Sequence, residues 1–324
     1  MNAIARRSLF AVAAWCVLAA CACTSTGLPT GMQSPMPSPR PSPSASPLAG
    51  TRLYVANFAT SVLYYGLPIT SGSSMQGVVS GFASAWSECT DSTGRLFVVD
   101  KDNNRVNVYT QPISSGSGPA FSLVGLSTPS GCAVDAGGNV YVSEEYQSDI
   151  AVFPGPVTST AVPSSKITDN VAIPCGVGVD PNNGDVFVAN RQHITEYTPL
   201  SAGNTLLVSF GEINDNYGVE IGPDGNLYVA NGPSEGVMDV YKPPFTSSSA
   251  PDHTVTLPGA IDSFYFTWDS NNYLYVAAYK ANWDSDVYVF APPYTGSPAA
   301  VLFVDNVAPD PKPVWRATGV AIDN

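Results

Sequence analysis

A short block of sequence recurs six times, and this recurrence restricts the fold more than any other feature of the chain. Its copies centre on Leu53-Tyr54-Val55, Leu96-Phe97-Val98, Val140-Tyr141-Val142, Val186-Phe187-Val188, Leu227-Tyr228-Val229 and Leu274-Tyr275-Val276, with spacings of 43, 44, 46, 41 and 47 residues. The fullest copy, Ser130 to Phe153, reads as two short apolar strands around a Gly turn, then a polar loop and a third strand. A period of this length, with several strands per unit, marks a β-propeller.

Each unit has the same parts. An inner apolar strand (Cys132 to Val134, Val177 to Val179, Val219 to Ile221) meets a Gly, Asn or Asp turn such as Asp224-Gly225-Asn226, and the central strand follows. The third strand ends in an aromatic: Tyr65, Tyr109, Phe153, Tyr197, Tyr241 or Phe290. Pro68, Pro112, Pro156, Pro244 and Pro293 stand three residues beyond it, and only the fourth unit departs, with Pro199 one place early. Proline cannot donate to a ladder, so it closes the third strand and opens the turn to an outer one. Outer strands are expected at Phe121 to Val124, Thr205 to Phe210, Val255 to Leu257 and Val301 to Val304.

The two ends set the blade count. The Leu53 unit lacks an inner strand, and Ala317 to Asp323 is an inner strand lacking the rest. Together they complete one blade, predicting an all-β, six-bladed propeller of four-stranded blades closed by pairing of the N- and C-terminal strands. Such closure removes exposed sheet edges. No 3.6-period apolar stretch lies between the strands, which excludes an alternating βαβ sheet.

Three segments follow: 1–20 as a signal peptide, 21–50 as a tether and 51–324 as the propeller. Met1 to Arg7 is a basic n-region and Leu9 to Ala20 an apolar run of 12 residues, short of the roughly 20 that span a bilayer. Leu18-Ala19-Ala20-Cys21 resembles a bacterial lipobox. The resemblance implies export, diacylglyceryl transfer to the Cys21 sulfur and cleavage before it, leaving the protein on a bacterial membrane, facing the periplasm or the cell exterior. Seven prolines among Ser, Thr and Ala from Thr24 to Gly50 cannot build a core. As polyproline II this tether reaches roughly 80 Å. Acidic residues outnumber basic ones 26 to 13, and the surplus grows once Arg6 and Arg7 leave with the leader. Such a charge repels phosphate backbones and argues against nucleic acid as a partner.

The second unit, Val99-Asp100-Lys101-Asp102-Asn103-Asn104-Arg105-Val106-Asn107-Val108-Tyr109, resembles the NHL repeat through Asp100, Asn103, Arg105 and Val106. The other five units keep the apolar frame and lose the Arg. The resemblance implies a six-bladed propeller that most often binds other molecules.

Inner and central strands run antiparallel, so the start of one and the end of the other share one mouth of the axial channel. Central-strand ends place Asn57, Asp100, Glu144, Asn190, Asn231 and Ala278 there; inner-strand starts place Trp86, Ser130, Cys175, Tyr217, Phe264 and Thr318. Of these, Trp86, Asp100, Glu144, Asn190, Tyr217, Asn231 and Phe264 are the candidate binding residues. Convergent carboxylates, amides and aromatics suit a cation, a sugar or a peptide. The same Asn and Asp can instead hydrogen-bond their own loops.

Enzymatic chemistry is weakly written. Gluconolactonase-like propellers hold a divalent cation with carboxylate and amide side chains; at four of the matching positions this chain has Ser130, Cys175, Tyr217 and Thr318, with Glu88 and Glu220 as stray oxygens on inner strands. NHL-type amidating lyases use several histidines, whereas only His193 and His253 occur here. Asp100-Lys101-Asp102-Asn103-Asn104 carries oxygens at alternate positions, as calcium loops do, without the Gly and distal Glu of an EF-hand. No cofactor is expected, with Ca2+ as the one cation these patterns admit. Of the cysteines, Cys89 and Cys132 differ by an odd step in repeat position and can face each other, while Cys132 and Cys175 differ by an even step and should not. The expectation is a lipid-anchored envelope propeller that binds a protein, peptide or glycan. The alternative is a gluconolactonase-like or lyase-type enzyme with a diverged channel.

Overall fold

Runs such as Leu-Tyr-Val are apolar at successive positions because a central propeller strand is covered on both faces, by the blades before and after it. The computed structural model bears this out: residues 53–56, 96–99, 140–142, 186–189, 227–230 and 274–278 are all buried. It describes residues 51–58, 60–211, 215–232, 236–280, 285–294, 298–303 and 317–323. The expected leader, Cys21 and tether lie outside these.

Six sheets of four antiparallel strands each form one blade, without α-helix among the described residues. Their inner strands are Ala317–Ile322 (blade 1), Ala85–Thr90, Pro129–Val134, Pro174–Val179, Asn216–Ile221 and Ala260–Trp268 (blade 6). Six apolar clusters fill the interfaces between successive blades, including that between blades 6 and 1, which joins Tyr275, Val287 and Leu302 to Leu53, Leu63 and Val320.

The ring closes as expected. Ala317–Ile322 pairs antiparallel with Arg52–Asn57, matching Leu53 with Ile322 and Val55 with Val320. Asp323 clasps the join. Its backbone N–H donates to the Arg52 carbonyl at 3.2 Å, while its carboxylate accepts from the Arg52 N–H, the Tyr54 hydroxyl at 3.2 Å and Gln111 of blade 2 at 3.1 Å.

This clasp is one copy of a repeated device. An Asp just past the inner strand accepts from a Tyr on the central strand, pairing Asp135 with Tyr141, Asp224 with Tyr228 and Asp269 with Tyr275. Blades 2 and 4 have Phe97 and Phe187 at the Tyr position. Their aspartates turn instead to Arg95 and Asn182.

Third strands end before each expected proline, and the bonds preceding Pro68, Pro112, Pro156, Pro244 and Pro293 are cis. The outer strands run Phe121–Leu123, Leu206–Phe210, His253–Thr256 and Ala300–Phe303, within two residues of expectation. Blades 1 and 3 carry outer strands at Met75–Ser80 and Ser165–Ile167 that are too polar or too short to announce themselves. Cys89 and Cys132 form a disulfide between blades 2 and 3. Closing a loop of 43 residues contributes about 4 kcal/mol in the chain-entropy picture.

Deletion of residues 320–324 should lower the stability of the whole domain by at least about 4 kcal/mol, since it removes the buried Val320 and Ile322 and bares two sheet edges. A calorimetric midpoint equal to that of the full chain would show that the termini do not share a blade.

Candidate functional site

Every inner strand is interrupted at the same place. The pairing register slips between Ala85 and Glu88, Pro129 and Cys132, Pro174 and Gly176, Asn216 and Val219, Ser263 and Phe266, and opposite the Ala56/Asn57 step in blade 1. A β-bulge leaves a residue unpaired and re-aims its side chain. The bulged stretches contain Trp86, Ser130, Cys175, Tyr217, Phe264 and Thr318, the six positions read from the sequence as inner-strand starts at the mouth.

Three of the predicted site residues meet there. Phe264 lies 6.3 Å from Trp86 and 4.7 Å from Tyr217 between ring centroids. Phe58 extends the group from blade 1, edge-on to Trp86 at 5.0 Å, and Tyr279 stacks on Phe264 at 5.4 Å. The result is a connected aromatic patch drawn from blades 1, 2, 5 and 6, in which Phe58, Trp86 and Tyr217 are partly exposed and Phe264 and Tyr279 buried beneath. Aromatic contacts of this kind contribute about 0.5–1.5 kcal/mol each beyond area burial.

The predicted polar residues sit in the same rim but are turned into their own blades. Asp100, fully buried, accepts from the Ala83 N–H at 2.8 Å, the Ser84 N–H at 3.2 Å, Asn103 at 2.8 Å and the Arg105 guanidinium at 3.1 Å. This is a physical account of the Asp-x-x-Asn-x-Arg pattern: the carboxylate is the hub of its loop. Glu144 accepts from the Ser127 N–H and pairs with Lys166 at 2.6 Å; burial, then the neighbouring Asp149, hold its carboxyl above the usual range. Asn190 accepts from the Ala172 N–H and donates to Thr195, and Asn231 donates to Asp239.

The groups that face the mouth lie one residue further along: Phe58, Lys101, Glu145, Arg191 and Tyr279 follow directly on Asn57, Asp100, Glu144, Asn190 and Ala278. Lys101 stands 4.1 Å over the Trp86 ring and pairs with Glu145 of blade 3. Arg191 pairs with Asp215 of blade 5 at 2.6 Å. Tyr146, beside Glu145, is the most exposed large apolar side chain among the described residues, at 69%. The sequence signal of these mouth-facing groups is an aromatic or a charge directly after the last strand residue, present in four of six units, while Tyr279 lies within its own strand.

Tyr265, the second bulged residue of blade 6, floors the mouth. Its hydroxyl crosses the axis to donate to the carbonyls of Cys175 at 2.6 Å and Ser130 at 3.1 Å in blades 4 and 3. Backbones are crowded here: a Cβ on Gly176 would come within 1.9 Å of the Tyr217 carbonyl oxygen. Cys175 is a free, buried thiol that burial pushes up to about 12, so it holds its proton. His193, in the turn after Asn190, lies against the Asn170 carbonyl, and His253, at the start of an outer strand, lies against Asp252.

No family model matches the chain, and no curated protein is recognisably similar to it in sequence. Solved structures share its fold. A Bacteroides caccae protein of unknown function aligns over 86% of this chain and 99% of its own at 11% identity and a TM-score of 0.62. A chain of the nidogen/laminin complex aligns over 85% of this chain and 99% of its own, at 14% identity and 0.60. A functionally unknown protein from Desulfotomaculum acetoxidans aligns over 83% and 88% at 13% identity and 0.58.

Asp100→Ala should cost about 3 kcal/mol in urea unfolding, because it strands two backbone donors and releases Arg105. A loss below about 1 kcal/mol would show that the loop does not depend on this carboxylate.

Proposed function

We propose that this chain is an exported, lipid-anchored binding module of the bacterial cell envelope, and that the mouth of its propeller recognises a protein, peptide or glycan. The observation that carries this reading is the aromatic patch of Phe58, Trp86, Tyr217, Phe264 and Tyr279 set between the Lys101–Glu145 and Arg191–Asp215 pairs. Flat apolar rings beside charges of both signs offer stacking for a sugar or side chain and hydrogen bonds for its polar edges. Asp100, Glu144, Asn190 and Asn231 hold the rim in shape, leaving recognition to the residues after them. The aligned nidogen/laminin chain comes from a protein complex, in keeping with a propeller that works by binding.

Attachment rests on Cys21 and its leader. Among the described residues no helix is long and apolar enough to cross a membrane. Acyl chains on Cys21 would hold the chain to a bilayer, with residues 24–50 as spacer.

Trp86→Ala should reduce capture of the partner from an envelope extract about 30-fold, the scale of a central aromatic anchor, while the domain stays folded with a midpoint lower by several degrees for the lost ring contacts. Undiminished capture by the folded variant would move the site off this mouth. Cys21→Ser should transfer the protein from the membrane to the soluble fraction; a variant that still sediments with membranes after leader removal would contradict lipid anchoring.

A further inference from the structure

Beneath Tyr265 the axis widens into a cavity of about 140 Å³ to which all six inner strands contribute. Glu88, on the inner strand of blade 2, lies in its wall with 6% of its surface exposed, and neither carboxyl oxygen has a hydrogen-bond partner. Asp100 and Glu144 at the rim, by contrast, accept from backbone N–H groups. The Glu88 carboxyl packs against the strand that closes the ring. A Cβ on Gly319, within Ala317–Ile322, would come within 2.1 Å of Glu88 Oε2 and 2.7 Å of the Ser87 Cα, so glycine is what lets the two inner strands close around this group. Further along the same contact, Thr90 donates to the Ile322 carbonyl at 3.2 Å.

An ionised carboxylate without donor or countercharge is strongly disfavoured in such a place, so the group keeps its proton unless the structure opens to admit water. No countercharge reaches it. No Lys, Arg or His lines the cavity. The titratable groups that face Glu88 from other inner strands are Glu220 of blade 5, which burial pushes up to about 8, and the Tyr265 hydroxyl of blade 6, which donates to the Ser130 and Cys175 carbonyls. Cys89 and Cys132 are joined in the disulfide, and blades 1 and 4 line the cavity with Val, Ala and Gly alone. Behind Glu88 the central strand of blade 2 is apolar up to Asp100, which is held by its own loop, while Arg52 of blade 1 is turned to the Ile113 carbonyl and the Tyr64 ring. Burial is accordingly the cause that raises the Glu88 carboxyl well above the ordinary range.

We propose that Glu88 is a proton-operated latch on ring closure, locked while its carboxyl is neutral and released when it ionises. Neutral, the acid fills the space over Gly319 and the inner strands of blades 1 and 2 close around it. Ionised, it must draw water into that interface. The strand that yields is the terminal one, because Ala317–Ile322 is the innermost strand of its sheet and is paired along one edge only. Stability of the ring is thereby tied to the pH around the cavity.

Proton linkage gives the effect a definite sign. An unfolded glutamate ionises near 4.5 while native Glu88 keeps its proton, so above that value the native chain holds one proton more, and its stability falls with rising pH until Glu88 itself ionises. In urea titrations of the full chain between about pH 5 and pH 7, the unfolding constant relative to that of Glu88→Gln should rise about tenfold per pH unit, the effect of one proton. Glu88→Met, which removes the carboxyl and keeps its bulk, should show the same rise. Hydrogen exchange then locates the effect. Corrected for intrinsic rates, the Ala321 amide should be as protected as that of Val142 at about pH 6 and lose at least about tenfold relative to it by about pH 10. Glu88→Gln should abolish that loss, and Glu220→Gln, in blade 5, should leave it intact. A ratio of unfolding constants that stays flat with pH would overturn the proposal. So would a seam that stays level with Val142 throughout, or a loss at Ala321 that the Glu88 variants retain.

Discussion

The backbone pairing of Ala317–Ile322 with Arg52–Asn57 is the constraint on which the rest depends. It joins segments more than 260 residues apart in sequence and turns six laterally packed sheets into a ring. Without it, the apolar cluster between blades 6 and 1 would face water, and inner strands that now share one axis would splay. Its local chemistry is the chemistry of every blade: an Asp past the inner strand, bound by a Tyr or its substitute. At the join, Asp323 also reaches Gln111, so the clasp ties the closing blade to its neighbour.

Ring closure creates an axis, and bulges exploit it. A regular inner strand would send alternate side chains into the two blade interfaces. The slip in each inner strand instead frees one or two residues at the mouth, and three of the six blades spend that freedom on Trp86, Tyr217 and Phe264. Blade 6 spends its second freed residue on Tyr265, which divides the channel into an aromatic mouth above and an acidic cavity below. The two compartments differ in chemistry, aromatic rings beside paired charges at one and two glutamates in the wall of the other.

The fold was largely legible because its determinants are local and repeated: a Leu-Tyr-Val frame, a Gly/Asn/Asp turn, an aromatic followed by proline. Peripheral strands such as Ser165–Ile167 were hidden because an outer strand of three residues with two exposed side chains carries no apolar pattern. At the mouth, the aromatics could be placed by the antiparallel run of inner and central strands alone. The polar residues could not be apportioned, since parity does not say whether Asp100 faces the channel or folds back onto the Ala83 and Ser84 amides. That choice is made by the tight 3-10 turn at Lys101–Asn103, which brings Asn103 and Arg105 onto the carboxylate and lifts Lys101 over Trp86. The resemblance to NHL repeats, confined to this one blade in sequence, coincides with that turn.

Native-state hydrogen exchange at the closing seam measures the central claim directly. The amides of Ala321, opposite Tyr54, and of Asp323, which donates to the Arg52 carbonyl, lie in the outer pairs of that seam, where fraying is the ordinary expectation. If the ring is one cooperative structure closed by this pairing, they should exchange only with global unfolding, as slowly as the amides of Val142 and Val188 in central strands. Exchange at the rate of a frayed end, orders of magnitude faster than those central strands, would show the seam open and contradict the account.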